Sequence, residues 1–146
     1  MRYLFLTQQF YDDYKHCTEI EQKRFRPYSQ VYTEVHGIQF AIPLRSGISH
    51  RHVLWTDKHN KCGLDFSKAV VIARADYIDN DNIPHIRQNE FDALRGKEYR
   101  VKQRLLKYIS DYMKAKTAQH IERNKILCQY STMQYFEEYI TNAIPH

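Results

Sequence analysis

The densest group of side chains able to do chemistry lies in residues 43–52, Pro-Leu-Arg-Ser-Gly-Ile-Ser-His-Arg-His. Cleavage of RNA by transesterification needs a base for the 2′-OH proton, a cation for the pentavalent phosphorane and an acid for the 5′-oxygen. His50 or His52 suits either proton transfer, because imidazole titrates at about pH 6.5. Arg45 offers a planar, permanently charged fork for a phosphate, and Ser46 offers a hydroxyl donor. The segment therefore predicts a phosphodiester-cleaving site.

The same residues also have simpler explanations, which the sequence leaves open. An arginine–serine pair after a strand can form an ordinary turn, and histidines are often solvated surface groups. On a strand, His50 and His52 would share one face and could form half of a zinc site, with Asp57 and His59 as the nearest further ligands. Lysines beside those two residues oppose a cation, and the spacing matches no common zinc motif. We therefore predict neither a metal nor a cofactor.

The overall charge favours an anionic partner. The 22 Lys and Arg outnumber the 17 Asp and Glu, which gives a formal net charge of +5. Phosphate contacts by such residues release condensed counterions, and the 12 Tyr could stack on bases, although many Tyr are simply half-buried core residues. None of the four Gly falls in a P-loop or dinucleotide motif. Nucleic acid is the leading partner class.

Cysteine usage and hydropathy predict a cytoplasmic protein. The three Cys are scattered and form no C-x-x-C pair, which argues against a disulfide framework or a zinc ribbon. The N-terminal segment turns polar after six residues, too early for a signal peptide, and no apolar run approaches the ~20 residues of a membrane span.

The periodicity of apolar residues predicts strands first and helices later, in a single domain over residues 1–146. Such an order indicates an α+β fold with an antiparallel sheet. The predicted strands are 3–6, 28–36, 38–44, 53–55 and 69–72, with a turn at Gly37 and a loop over 56–67. The predicted helices are 8–17, a short one capped by Asn89 and stopped by Gly96, 97–117, and 121–144 with an interruption near 129–131.

Four short motifs, in matching order, carry a family resemblance: residues 26–28 (Arg-Pro-Tyr), 41–46 (Ala-Ile-Pro-Leu-Arg-Ser), 63–69 (Gly-Leu-Asp-Phe-Ser-Lys-Ala) and 83–88 (Ile-Pro-His-Ile-Arg-Gln). Through them, most of the chain resembles the toxins of type III toxin–antitoxin systems. These are the ToxN/AbiQ-like endoribonucleases, and the TenpN branch is the most similar. The resemblance implies a compact, strongly bent antiparallel sheet with flanking helices, related to the MazF/Kid-like toxins.

The same resemblance implies a function and a partner. Cleavage would need no metal and would leave a 2′,3′-cyclic phosphate and a 5′-hydroxyl. The partner would be a small pseudoknotted RNA antitoxin that the toxin processes from a repeat transcript and binds in a cyclic protein–RNA complex. The biological role would be growth arrest and defence against phage by abortive infection.

The resemblance also implies site residues. Ser46 matches the family's active-site serine, Arg45 stands where other branches carry Thr, and Arg26 falls where ToxN-like members carry a functional Lys. The Lys that closely follows the family's Thr-Ser pair is Ile48 here. Because arginine does not readily give up a proton, we assign proton transfer to His50, with His52 as the alternative.

Residues predicted to bind RNA come from the motifs and from the basic side of the helix over 97–117. They are Tyr28, Arg51, His52, Lys68, Arg87, Arg100 and Arg104. Two other functions use the same features. One is a non-catalytic RNA-binding module, and the other is a protein–protein adaptor that docks through its Tyr-rich C-terminal helices.

Overall fold

A computed structural model describes residues 1–21 and 28–145. Over these residues the fold is α+β, as predicted, with a seven-stranded antiparallel sheet and five α-helices. The strands are Arg2–Leu6 (β1), Gln30–Val35 (β2), Ile38–Arg45 (β3), Val53–Asp57 (β4), Cys62–Asp65 (β5), Val70–Val71 (β6) and Ile78–Asp79 (β7). The helices are Gln8–Asp13 (α1), Gln88–Leu94 (α2), Glu98–Lys116 (α3), Glu122–Tyr130 (α4) and Glu137–Ala143 (α5).

The β2–β3 hairpin forms the centre of the sheet. Val31, Thr33 and Val35 are buried on one face of β2, which confirms the predicted alternation. His36 and Gly37 both have positive φ, 48° and 77°, and they connect the paired ends of the two strands. Two left-handed residues between antiparallel strands match the twist of a tight hairpin. Arg45 is the last residue of β3, so it lies at the end of the hairpin away from this turn.

The strand order is β4-β5-β3-β2-β1-β7, and β6 pairs with β3. The prediction of a loop over residues 56–67 is wrong, because these residues include the end of β4 and all of β5. β5 is only four residues long and includes a glycine, so it has no clear strand pattern. Gly63 is required there, because a Cβ at that position would lie 2.5 Å from the Leu54 carbonyl oxygen of β4. Close pairing with β4 and β3 makes this segment a strand.

The helices follow the predicted pattern with two corrections. α1 ends at Asp13 and continues only as turns, so the predicted helix over 8–17 is too long. Asn89 lies inside α2, whose N-cap is Arg87, so the cap was misplaced. Gly96, with φ 72°, follows α2 as predicted, and Ser131 interrupts the C-terminal helices within the expected region.

The core lies between the sheet and α3. The predicted apolar side of α3 is buried: Val101, Leu105, Tyr108, Ile109 and Tyr112. Residues 69–72 are also buried throughout, as predicted for a strand covered on both faces. The three cysteines are free thiols. Among the described residues, no helix combines the length and apolar character needed to cross a bilayer.

Candidate active site

A buried carboxylate, Asp65, is the centre of a hydrogen-bonded polar cluster. It lies at the end of β5, is fully buried, and caps the 3₁₀ turn Phe66–Lys68. Its Oδ1 accepts hydrogen bonds from the Ser67 amide at 3.0 Å and the Ser67 hydroxyl at 2.6 Å. Arg45 Nη1 lies 2.5 Å from Oδ2, and His50 Nε2 lies 3.1 Å from Oδ1.

These donors keep the carboxylate ionised. Burial by itself raises the pKa of Asp65, but the hydrogen bonds from His50, Ser67 and Arg45 and the charge of His50 lower it further, so the net direction is downward. A buried charge is tolerated only when it is paired and hydrogen-bonded in this way. Asp65 is therefore a fixed negative charge that orients a guanidinium and an imidazole.

Strand register explains how distant residues reach Asp65. Arg45 of β3 pairs with Gly63 of β5, so Arg45 and Asp65 are diagonal neighbours on one face of the sheet. The loop between β3 and β4 is held by two backbone bonds. Ile48 donates to the Lys61 carbonyl at 3.1 Å, and Phe66 donates to the His52 carbonyl at 3.0 Å. These bonds fold the loop against β5 and bring His50 to the carboxylate.

Arg45 joins two carboxylates. Its Nη2 lies 2.8 Å from Glu21 Oε1, while its Nη1 contacts Asp65, and its guanidinium lies 5.9 Å from the centre of the Tyr28 ring. Burial lowers the pKa of Arg45, but the bond to Asp65 and the charges of Asp65 and Glu21 raise it more. The Arg45 side chain is 21% exposed, and its buried Nε has no hydrogen-bond partner among the described residues.

His50 uses both ring nitrogens within the protein. Nε2 faces Asp65 and lies 3.2 Å from the Ser67 hydroxyl, while Nδ1 accepts a hydrogen bond from the His52 amide at 3.0 Å. Because Nδ1 accepts, these contacts place the ring proton on Nε2. Proton transfer through Nδ1 requires the His52 amide to be released, so the proton-transfer role of His50 stays a prediction.

His52 is the neighbouring imidazole. Its ring centre lies 5.6 Å from that of His50 and 5.2 Å from the Tyr108 ring, which it meets edge to face. Burial, and then the positive charges of His50 and Arg51, lower the pKa of His52. Within residues 1–21 and 28–145, no hydrogen bond engages its ring nitrogens. His52 is therefore a neutral imidazole with free acceptor capacity at neutral pH.

A cleft of about 200 Å³ opens beside His52, lined by Arg51, His52, Phe66, Arg104, Lys107, Tyr108 and Asp111. Arg104 is fixed in it: Nη2 donates to the Val53 carbonyl at 2.7 Å, and the guanidinium lies 5.8 Å from the centre of the Phe66 ring. The cleft contains three cationic side chains and one carboxylate, and its net positive charge favours an anionic ligand.

The serine in the Asp65 cluster is Ser67, and the predicted Ser46 lies outside it. Ser46 is exposed at the end of β3, and within the described chain it makes no hydrogen bond to the Asp65 cluster. Ser67 lies in that cluster instead and contacts both Asp65 and His50. Sequence reasoning missed Asp65, Ser67 and Glu21. The Asp-x-Ser spacing at a turn was the available signal, because such an aspartate accepts from the amide two residues later.

The remaining predicted residues lie outside the Asp65 cluster or outside the described chain. Arg26 falls among residues 22–27, which the structure does not describe. Lys68 Nζ lies 3.4 Å from the Tyr130 carbonyl oxygen, Arg87 pairs with Glu90 at 2.9 Å, and Arg100 is exposed on α3. Their roles in RNA binding stay predictions.

No group of three or more His, Cys, Asp or Glu side chains is arranged to hold a metal ion in the part of the chain that the structure describes. Comparison with family models, curated proteins and solved structures finds no match to this chain. The resemblance to the type III toxins therefore stays a prediction that rests on the quoted motifs.

Proposed function

We propose that this protein is an endoribonuclease that cleaves RNA by 2′-OH transesterification, with imidazole and guanidinium groups in place of a metal. One observation carries the proposal. Arg45 and His50 contact the two oxygens of one buried carboxylate, and His52 lies beside them at the wall of a basic cleft. A cation and two imidazoles are the groups that the reaction needs.

The proton transfers divide between the two histidines. Neutral His52, whose pKa is lowered, removes the 2′-OH proton, and O2′ attacks phosphorus. His50 acts as the acid: once the His52 amide is released, Nδ1 takes up a proton from solvent, and Asp65 stabilises the resulting imidazolium. The P–O5′ bond breaks as O5′ takes that proton. The products are a 2′,3′-cyclic phosphate and a 5′-hydroxyl.

Arg45 stabilises the phosphorane. Asp65 fixes its position, and a non-bridging phosphate oxygen takes the place of Glu21 at the guanidinium Nη2. Arg26 and Ser46 join it on the strength of the family motifs. The wider set of basic and aromatic residues, from Tyr28 to Arg104, binds the flanking nucleotides.

The natural partner in this proposal is a pseudoknotted RNA antitoxin, processed from a repeat transcript in the cytoplasm and bound in a cyclic complex. The sheet would then be of the MazF/Kid-like kind, and the role would be phage defence. The support is the order of the motifs and a spatial relationship between two of them. Arg45 of the 41–46 motif contacts Asp65 of the 63–69 motif.

Incubation of the purified protein with RNA in the presence of EDTA tests the proposal. Defined fragments that end in a 2′,3′-cyclic phosphate support it, and intact RNA contradicts it. The second candidate is a non-catalytic RNA-binding module, favoured by the full engagement of both His50 nitrogens. For that candidate, RNA is retained on the protein but stays uncut.

A further inference from the structure

The cleft beside His52 contains an ion pair that the proposed mechanism does not use. Lys107 and Asp111 lie one helical turn apart on α3, and Lys107 Nζ lies 2.6 Å from Asp111 Oδ1. The Lys107 side chain is 71% exposed, whereas that of Asp111 is 27% exposed. The cleft thus presents an ammonium donor next to a half-buried carboxylate that has acceptor capacity remaining on both oxygens.

The walls of the cleft suit one flat aromatic ring. Phe66 and Tyr108 are buried and held in place, and the His52 ring meets Tyr108 edge to face. The volume of about 200 Å³ is below the ~300–1,000 Å³ of sites that enclose a whole drug-sized molecule. A single nucleobase beside these rings, with its sugar and phosphate outside, matches both the size and the lining.

The donor–acceptor order of the ion pair distinguishes among the four bases. Guanine carries an acceptor, O6, followed by two adjacent donors, N1–H and N2–H. Adenine, cytosine and uracil each present only one donor position to a carboxylate on that edge. A carboxylate accepts both guanine donors, while the neighbouring ammonium donates to O6.

We infer that the cleft is a guanine-binding subsite, in which Asp111 accepts from N1–H and N2–H and Lys107 donates to O6. The inference deepens the proposed function and rests on it in one respect, because it makes guanine the base beside the cleaved phosphate. His52 lines the same cleft, so a bound guanine lies next to the imidazole that removes the 2′-OH proton. Arg51 and Arg104 lie where they can contact the attached phosphate.

Calorimetric titration of the full chain with 3′-GMP, 3′-AMP, 3′-CMP and 3′-UMP tests the inference. We expect 3′-GMP to bind at least about tenfold more tightly than the other three, in the range of one bidentate base contact. 3′-IMP lacks the N2 amino group and should bind at least about fivefold more weakly than 3′-GMP. That comparison changes only the ligand, so it does not depend on whether a protein variant folds.

Asp111→Asn should reduce the preference for 3′-GMP over 3′-AMP to within about threefold, because the amide offers one acceptor instead of two. Asp92→Asn is the matched control. Asp92 also forms an exposed ion pair on a helix, with Arg95 at 3.1 Å, and it lies outside the cleft. It should keep the full preference for guanine.

Equal binding of all four nucleotides, no binding of any, or a preference that survives Asp111→Asn overturns the guanine subsite. Its failure differs from failure of the nuclease. RNA cleavage without a preference for guanine removes the subsite and leaves the enzyme. Selective 3′-GMP binding that Asp111→Asn abolishes, in a protein that leaves RNA intact, keeps the subsite and removes the enzyme.

Discussion

Arg45 and Asp65 are twenty residues apart in the chain, yet their side chains meet at 2.5 Å across the β3–β5 pairing. The contact places a permanent cation and a buried anion at one end of the sheet. His50 completes the cluster on the second carboxylate oxygen. Removing the anion therefore affects both the stability of the fold and the position of two proposed catalytic groups.

Asp65→Asn should lower the free energy of unfolding by ~1–3 kcal/mol, because a neutral amide replaces the charged acceptor of the Arg45, His50 and Ser67 donors. Urea denaturation followed by circular dichroism measures the change. Glu21→Gln is the matched control, since it removes the other carboxylate on Arg45 from a more exposed position. Its cost should be within ~1 kcal/mol, and equal costs for the two variants would contradict the special role of Asp65.

The depressed pKa of Asp65 predicts acid lability with a definite sign. The folded state binds the proton less readily than the unfolded chain does, so the stabilisation is fully present above the ordinary aspartate pKa of ~3.9. It is lost as the pH falls through the lower folded pKa. Unfolding free energies measured from pH 7 to pH 2 should therefore fall less steeply below pH ~4 for Asp65→Asn than for the wild type.

The lowered pKa of His52 predicts a second loss of folding stability, at a higher pH than the loss caused by Asp65. Its folded pKa lies below the ordinary value of ~6.5, so the unfolded chain binds more protons as the pH falls below that value. Stability contributed by neutral His52 is complete above pH ~6.5 and declines as the pH approaches the folded pKa. NMR titration of the His52 ring checks the direction. His52→Gln should remove this part of the decline, and a His52 pKa at or above ~6.5 would refute the assignment.

Thr132→Val should destabilise the segment that holds Ser67 in the Asp65 cluster. The buried Thr132 hydroxyl contacts the carbonyl oxygens of Ser67, at 3.1 Å, and Ala69. Valine has nearly the same shape but leaves those buried acceptors without the donor, at a cost of ~1–3 kcal/mol. Thr117→Val removes a similar bond at an exposed site and should cost less than ~0.5 kcal/mol. Thermal unfolding compares the two variants.

Arg51→Gln should weaken RNA binding without changing the fold, because Arg51 is exposed at the rim of the cleft. Loss of one phosphate contact should reduce the slope of log K against log salt by ~0.7 for single-stranded RNA. Fluorescence anisotropy at several salt concentrations gives the slope. Arg95→Gln, just after α2, is the control, and an identical change in both variants would remove Arg51 from the interface.

Local periodicity predicted the parts of the fold that depend on one segment alone. The alternation of Val31, Thr33 and Val35 and the helical spacing from Val101 to Tyr112 each mark a buried face, and both predictions are confirmed. β5 was missed because its strand character comes from pairing on both sides, around a glycine that its neighbours require.

The sequence predicted only part of the candidate site, because the rest depends on pairing between strands that are distant in sequence. Arg45 and His50 stand out as functional residue types in one polar segment, and the structure brings them together. Asp65 lies between Leu64 and Phe66 in an apolar context, and its role depends on register between strands that are distant in sequence. No local sequence pattern encodes that register, so the role of Asp65 could be seen only in the folded structure.

The cleavage rate of an RNA substrate by wild-type, His50→Ala and His52→Ala proteins tests the central claim most directly. Loss of a positioned acid or base should lower the rate by ~10²–10⁴ in each variant, with circular dichroism spectra showing that each variant is folded under the assay conditions. Wild-type rates in both variants would contradict the account, because cleavage would then proceed without either imidazole.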